Sequence, residues 1–552
     1  LANGLITTHT SNGAYFNTSY NSSPVYAQPV TQYPITRGMV TGTATKVIGT
    51  ANQFLSSVSF YDDRGRQIQT QSINQTGGKD TTTNQYDFTG KPIRTLIAQQ
   101  KAGNNAQSHT VLTKMNCDAG GRLLTIYKNI DNAIADQLIA TNSYNELGRL
   151  RSKYLGNNLD SLVYAYNIRG WLTGINKNFI AGAAGNYFGM ELAYDKPQAA
   201  DNITSYTNLQ YNGNIAGTIW KTAGDGVGRK YDFTYDNVNR LTGADFNQAA
   251  GTGYDKTAGL AFRASNLTYD DNGNILSMKQ MGYKVGGSSA VDQLKYRYQL
   301  NSNKLLEVYD TVSDATTKLG DFHDGSNVQG TDDYSYDGNG NLTLDNNKGI
   351  SGIIYNYLNL PRQVSVTSKG TITYTYDAAG TKLYKTTIDS MASPSKTTVT
   401  TYQGPFVYQN DTLQFVAHEE GRARWAWHKY TNGDSAHSFE YDFFEKDHLG
   451  NTRVVISQQK DTARYLASME AAYRSTERQL FSNIENTSYA VNQIPGTYPT
   501  DNTTTPNDSV ARVNGSGQKL GPYIVLKVMA GDTISIAVKS YYISQGGTTT
   551  SP

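Results

Sequence analysis

The sequence predicts an all-β protein assembled from repeated hairpins, and three observations carry that expectation. Its 552 residues hold 41 tyrosines and 52 glycines beside only 13 prolines and 16 phenylalanines. Tyrosine favours half-buried pleated surfaces and glycine favours turns. Apolar residues make up 38%, below the usual globular share, which suits many strands with one wet face better than one thick core. Finally, one phrase recurs: an alternating strand ending in Tyr-Asp, a turn with Gly or Asn, a Lys, Arg or Asn, then Leu or Ile opening another strand.

The phrase starts at Tyr61-Asp62-Asp63-Arg64-Gly65-Arg66 and Tyr86-Asp87-Phe88-Thr89-Gly90-Lys91. It returns at Cys117-Asp118, Tyr144-Asn145, Tyr166-Asn167, Tyr235-Asp236, Tyr269-Asp270 and Tyr336-Asp337, with looser copies at Tyr357-Leu358-Asn359-Leu360-Pro361 and Tyr376-Asp377. Each copy makes sense as a hairpin. Asp or Asn at the first turn position accepts backbone N–H groups, and a later Gly or Asn takes positive φ without strain. Before the turn, Tyr334 and Tyr336 flank Ser335, so both rings leave one face of a strand. Rings of successive hairpins are expected to stack in a ladder, each pair adding roughly 0.5–1.5 kcal/mol. The spacing of ~20–40 residues is irregular, unlike that of propeller blades. Insertions such as 178–189 and 251–260 read as loops or extra strands.

Charge and cysteine content exclude several functions. The 48 basic and 46 acidic residues give a net charge of +2 without a basic stripe, so nucleic acid is not an expected partner. A single cysteine, Cys117, leaves no internal disulfide or Cys-rich metal site, and it stands where other copies carry Tyr, as a packed thiol. The most apolar late run, 524–538, is interrupted by Lys527, Gly531 and Asp532, too soon for a membrane helix.

Chemistry-bearing motifs are likewise wanting. His418-Glu419-Glu420-Gly421-Arg422 lacks the second His of a zinc-protease helix and lies in strand-like sequence. The acidic turns, Asp270-Asp271-Asn272-Gly273-Asn274 among them, lack the bidentate Glu of a calcium loop and read as turn formers. Gly224 to Gly228 and Asn514 to Gly517 read as loops. No metal, cofactor or catalytic residue is therefore assigned, and the chain is not expected to be an enzyme.

Beyond the repeats, 464–482 is rich in helix formers and predicts one short helix. Residues 483–517 form a polar connector. Tyr523 to Val528, a Gly531-Asp532 turn and Thr533 to Tyr542 predict a hairpin that begins a small β module. The chain opens at Leu1 without Met and ends in a linker-like Gly-Gly-Thr-Thr-Thr-Ser-Pro, which reads as a piece of a longer protein.

The recurring phrase resembles the YD repeat of bacterial Rhs proteins, of Tc toxin C-subunit cocoons and of teneurin shells. Arg37-Gly38-Met39-Val40-Thr41-Gly42, Gly77-Gly78-Lys79-Asp80 and Tyr166-Asn167-Ile168-Arg169-Gly170-Trp171-Leu172-Thr173 are similar to the Bacteroidota version. Asp447-His448-Leu449-Gly450-Asn451-Thr452-Arg453 resembles the phrase that opens the Rhs core segment at the end of the repeats. The resemblance implies a β-sheet spiralling into a hollow shell, secreted or on the cell surface, around a C-terminal passenger such as a toxin. Its partner would be that polypeptide or the rest of the same protein. Relatives that cut themselves carry Tyr-Asp-Pro and Asp-Pro-x-Gly-Leu stretches after this phrase. Here Arg453 is followed by Val454-Val455-Ile456-Ser457, so the self-cleaving aspartates have no counterpart.

These readings divide the chain into a lead-in (1–37), a repeat shell (38–456), a helix and polar connector (457–517) and the start of a β module (518–552). Asp447, His448, Gly450 and Arg453 are expected to form a structural hairpin that closes the array. The alternative is a cell-surface adhesin that binds glycans through aromatic loops. Trp425 and Trp427, which flank Ala426 on one strand face, are then the contact residues, although an aromatic strand face usually packs into a core.

Overall fold

The computed structural model describes residues 27–541 except 252, 285–286, 313–320, 324–327, 430–434, 459–464, 497, 499–503 and 527–533. The chain divides into two compact units, residues 1–459 and 460–552.

The first unit is a ribbon of antiparallel strands, each paired with its neighbour in sequence. Among the described residues, twenty strands, from Gly42–Lys46 to Leu305–Asp310, make one sheet, and twelve, from Tyr334–Tyr336 to Thr452–Ser457, make a second. One backbone and one side-chain bond carry the ribbon across the break: the Asp333 amide donates to the Leu306 carbonyl at 2.7 Å and the Tyr336 hydroxyl to that of Leu305 at 2.8 Å. The insertion at 178–189 supplies a single-turn helix, Lys177–Ile180, and the one at 251–260 a short strand, Gly253–Asp255.

The ribbon then returns to its own beginning. The Ile48 amide donates to the Tyr376 carbonyl and the Ala378 amide to that of Lys46, both at 2.8 Å. Farther along, Gln75 Nε2 donates to the Tyr402 carbonyl, Gln99 Nε2 to Gln403 Oε1 and the Tyr408 hydroxyl to Gln99 Oε1, all at 2.6 Å. Lys101 pairs with Asp411 at 2.8 Å. These contacts join residues 304–327 positions apart, so the late strands lie beside the early ones. The main apolar core sits there: Val111, Ile139, Leu155 and Phe188 of the early strands meet Phe406, Tyr408, Leu413 and Phe443 of the late ones. Much else at this seam is polar, which explains how a chain poor in apolar residues closes.

In the second unit the strands Ser488–Ala490 and Ser509–Ala511 pair. Among its described residues helix is restricted to Arg474–Glu477, Ile484–Thr487 and a 3-10 turn at Val491–Gln493, shorter than the helix formers of 464–482 predict. Side chains there take over the backbone. Glu477 accepts the amides of Ser468 and Met469, and buried Glu470 accepts those of Asn507 and Asp508, and such bonds compete with helix. Of the hairpin expected from Tyr523, described residues 523–526 and 534–541 contain no strand, Tyr523 makes a lone bridge to Ser482, and the Gly531-Asp532 turn lies outside the described residues. Among the described residues no helix is long and apolar enough to cross a membrane.

Candidate functional site

Every copy of the phrase folds into the same bulged hairpin. At the first, the Gly65 amide donates to the Asp62 carbonyl (3.1 Å) and the Asp62 amide to that of Arg66 (3.0 Å). Asp62 Oδ1 accepts the amides of Arg64 and Arg66 at 3.0 and 2.8 Å. Gly65 has φ 74°, and the register shifts at Tyr61, which is a tight turn closed by a glycine bulge. The amide pair recurs on Oδ1 of Asp87, Asn145, Asp236, Asp337, Asn356, Asp377 and Asp447. Asp270 accepts the Asn274 amide in the same way. The acidic turns are thus satisfied by their own backbone.

The tyrosines and cations link one hairpin to the next. The Tyr86 hydroxyl donates to the Gln67 carbonyl, Tyr144 to Leu123, Tyr269 to Leu241, Tyr336 to Leu305 and Tyr355 to Leu342. In each case the acceptor opens the second strand of the preceding hairpin. The cation of that hairpin covers the ring: Arg66 lies 5.1 Å from the Tyr86 centroid, Arg122 5.0 Å from Tyr144, Arg149 5.7 Å from Tyr166, Arg240 4.7 Å from Tyr269 and Lys304 5.6 Å from Tyr336. The expected ladder of rings is therefore a ladder of alternating rings and cations. Arg66, Arg122 and Arg240 also pair with the aspartate of their own turn at 2.6–2.7 Å. The amide and guanidinium of Arg240 hold the Asp236 carboxyl below its ordinary range.

Two copies differ from the sequence reading. The loose phrase at Tyr357 is two residues out of register, because Tyr355 and Asn356 occupy the motif positions and Tyr357 is exposed on the turn. A further hairpin lacks the phrase: the Tyr298 hydroxyl donates to the Ile275 carbonyl, and the Gln299 amide closes on that of Lys304. Gln299 in place of Asp and one extra loop residue conceal it.

The phrase at Asp447 is the same turn at the end of the array. Asp447 Oδ2 meets Arg453 Nη2 at 2.6 Å and Asn451 Nδ2 at 3.1 Å. Burial opposes the carboxylate, but the bonds from Asn451 and Arg453 outweigh it and keep its pKa low. His448 and Gly450 are exposed on the turn. A recess of about 370 Å³ lies beneath, lined by Tyr164, Leu172, Ile175, Phe444 and the turn itself, with Glu420 paired to Lys153 at its side. Next to this turn, in the strand Ser435–Lys446, Glu445 is fully buried. Burial, reinforced by the Asp160 carboxylate, pushes its pKa up to about 10. Donors from Ser161, Asn186 and Tyr187 fix Asp160 in turn.

His418 ends a strand, among the rings of Tyr441 and Phe443, and burial lowers its pKa to about 4. The two tryptophans part company. Trp425 packs on Phe439 at 4.7 Å beside the core, whereas Trp427 is 59% exposed. Missing from the sequence reading altogether are three aspartates that converge, Asp292, Asp310 and Asp321, drawn from two strands and a loop that no motif connects.

No protein-family model matches the chain, and no curated protein matches it. Among solved structures it is similar to TcdB2-TccC3 without its hypervariable C-terminal region, with a TM-score of 0.41 and 11% identity over 73% of this chain and 23% of that one. The Photorhabdus luminescens Tc holotoxin pore gives a TM-score of 0.28 and 11% identity over 74% and 27%. A further TcdB2-TccC3 structure gives 0.22 and 14% over 76% and 27%. The chain spans about a quarter of the length of these matched chains.

Proposed function

We propose that the chain is the wall of a secreted or surface-exposed Rhs/YD-repeat protein, structural rather than catalytic, which encloses or displays a C-terminal polypeptide passenger. On this reading residues 38–456 are the wall, 457–517 the connector and 518–552 the start of the module beyond. The observation that carries it is the return of the ribbon on itself, with Gln75, Gln99 and Lys101 bonded to Tyr402, Gln403 and Asp411. Strands held to one another both along the ribbon and between its laps make a wall without a thick core. The repeat residues support the same role: the turn Asp is taken up by its own turn, and Tyr86, Tyr144, Tyr269, Tyr336 and Tyr355 by the hairpin before.

The test is protection of a passenger. A protease-sensitive reporter peptide fused after Pro552 of the full chain should outlast the same reporter on an unrelated carrier. Equal lifetimes would overturn enclosure.

A further inference from the structure

The three converging aspartates lie where the first sheet ends. Asp292 belongs to the strand Gly287–Tyr298, Asp310 closes Leu305–Asp310 and Asp321 lies in the segment that follows. Each offers a carboxylate oxygen, and these oxygens all lie within 4.8 Å of one another. None faces bulk water: Asp292 is 2% and Asp310 0% exposed, and the Asp321 side chain is fully covered. Three carboxylates buried this close repel one another unless protons or a cation intervene.

The geometry favours a cation. Among the described residues neither Asp292 nor Asp310 forms an ion pair with lysine or arginine. The nearby ring of His323, 3.4 Å from Asp321, is half exposed. Backbone amides orient the carboxylates from behind. Asp310 Oδ1 accepts the amides of Gln293 and Val312 at 2.8 and 3.0 Å, and Asp292 Oδ1 accepts that of Phe322 at 2.7 Å. Among the described residues Asp310 Oδ2, wholly buried, has no donor. A buried oxygen left unpaired in a cluster of like charges is costly, and buried charges are normally paired or bound to metal.

We propose that Asp292, Asp310 and Asp321 bind a hard divalent cation, calcium in preference to magnesium. Calcium takes oxygens at about 2.3–2.6 Å, so two ligands on opposite sides of it stand about 4.6–5.2 Å apart, and it accepts carboxylates supplemented by water. Oxygens within 4.8 Å of one another fit inside that shell, and a buried set of three carboxylates suits calcium better than magnesium, which keeps several waters and demands octahedral geometry. The ion would fasten the 321–323 segment to the last strands of the first sheet, just before the ribbon resumes at Tyr334, and so make wall continuity depend on calcium.

The experiment uses the full chain stripped with EDTA and titrated with calcium chloride by calorimetry, followed by thermal unfolding. One calcium ion should bind with these residues as ligands, the melting temperature should rise by several degrees, and Asp310→Asn should abolish both effects. In EDTA the same variant should melt at or above the unmodified chain, since the amide keeps the backbone bonds and removes one like charge. Should Asp310→Asn lose its β signal in circular dichroism, Asp321→Asn provides the same comparison. The site is overturned if neither calcium nor magnesium binds saturably, or if binding persists undiminished in the folded variants.

Discussion

Replacing Glu445 by Gln should make the protein more stable at neutral pH, and the structure sets the size of the gain. The side chain is 0% exposed, and its pKa rises from 4.5 to about 10 through burial and the neighbouring Asp160. Between those values the folded chain keeps a proton that the unfolded chain releases, so stability declines as pH rises through the window. The slope is about 1.4 kcal/mol per pH unit, and at pH 7, roughly 2.5 units above the unfolded value, the penalty reaches about 3 kcal/mol. Glutamine has the same shape and carries no proton to lose. Urea unfolding followed by circular dichroism, from pH 5 to 8, should therefore give two curves that nearly meet at the acid end. They should diverge steadily above it, with the variant more stable. Parallel curves would refute the protonated-pair reasoning, because every other titrating group is common to both proteins.

Three further outcomes follow from the linked hairpins. Tyr336→Ala should cost roughly 2–4 kcal/mol, while Tyr336→Phe, which loses only the bond to the Leu305 carbonyl, should cost about 1 kcal/mol; equal losses in denaturant unfolding would deny the hydroxyl a minor, separable share. A double-mutant cycle of Arg240→Met and Tyr269→Leu, whose wild-type cation lies 4.7 Å from the ring, should return a coupling of about 0.5–1 kcal/mol, and additivity would dismiss the ring–cation link. Trp425→Ala should destabilise markedly and Trp427→Ala hardly at all, because the first packs at the core edge and the second is 59% exposed; thermal unfolding of the two variants in the reverse order would contradict this packing.

How much the sequence revealed depended on how local each feature was. The turn at Asp62 needs only an acceptor side chain, four consecutive residues and a glycine at positive φ, so the letters alone disclose it. The link from Arg66 to Tyr86 depends on how neighbouring hairpins align, which no single window contains. The influence of Asp160 on Glu445, and the meeting of Asp292 with Asp310 and Asp321, depend on the path of the whole ribbon. Helix propensity over 464–482 was legible but lost to Glu470 and Glu477, whose carboxylates bind backbone amides instead.

The row of turns uses two chemistries for one purpose, and the difference has consequences. At Asp62 and Asp236 an arginine pairs with the turn aspartate and reaches the carbonyl of the next turn, Asp87 or Asp270, at 2.9 Å. At Asp270 and Asp337 an asparagine stands in that place. Asn274 Nδ2 reaches Asp270 at 2.8 Å and Asn303 at 2.9 Å, and Asn341 Nδ2 reaches Asp337 and Asn359 at 2.9 Å. Both link a turn to its successor, but only the arginine link carries charge, so salt weakens it. The amide link is indifferent to salt. The stretch from Asp270 to Asn359 spans the break between the two sheets, between Leu305–Asp310 and Tyr334–Tyr336. At the break itself the link from one turn to the next is again a cation, Lys304 over the Tyr336 ring at 5.6 Å, joined by the uncharged bond from the Tyr336 hydroxyl to the Leu305 carbonyl.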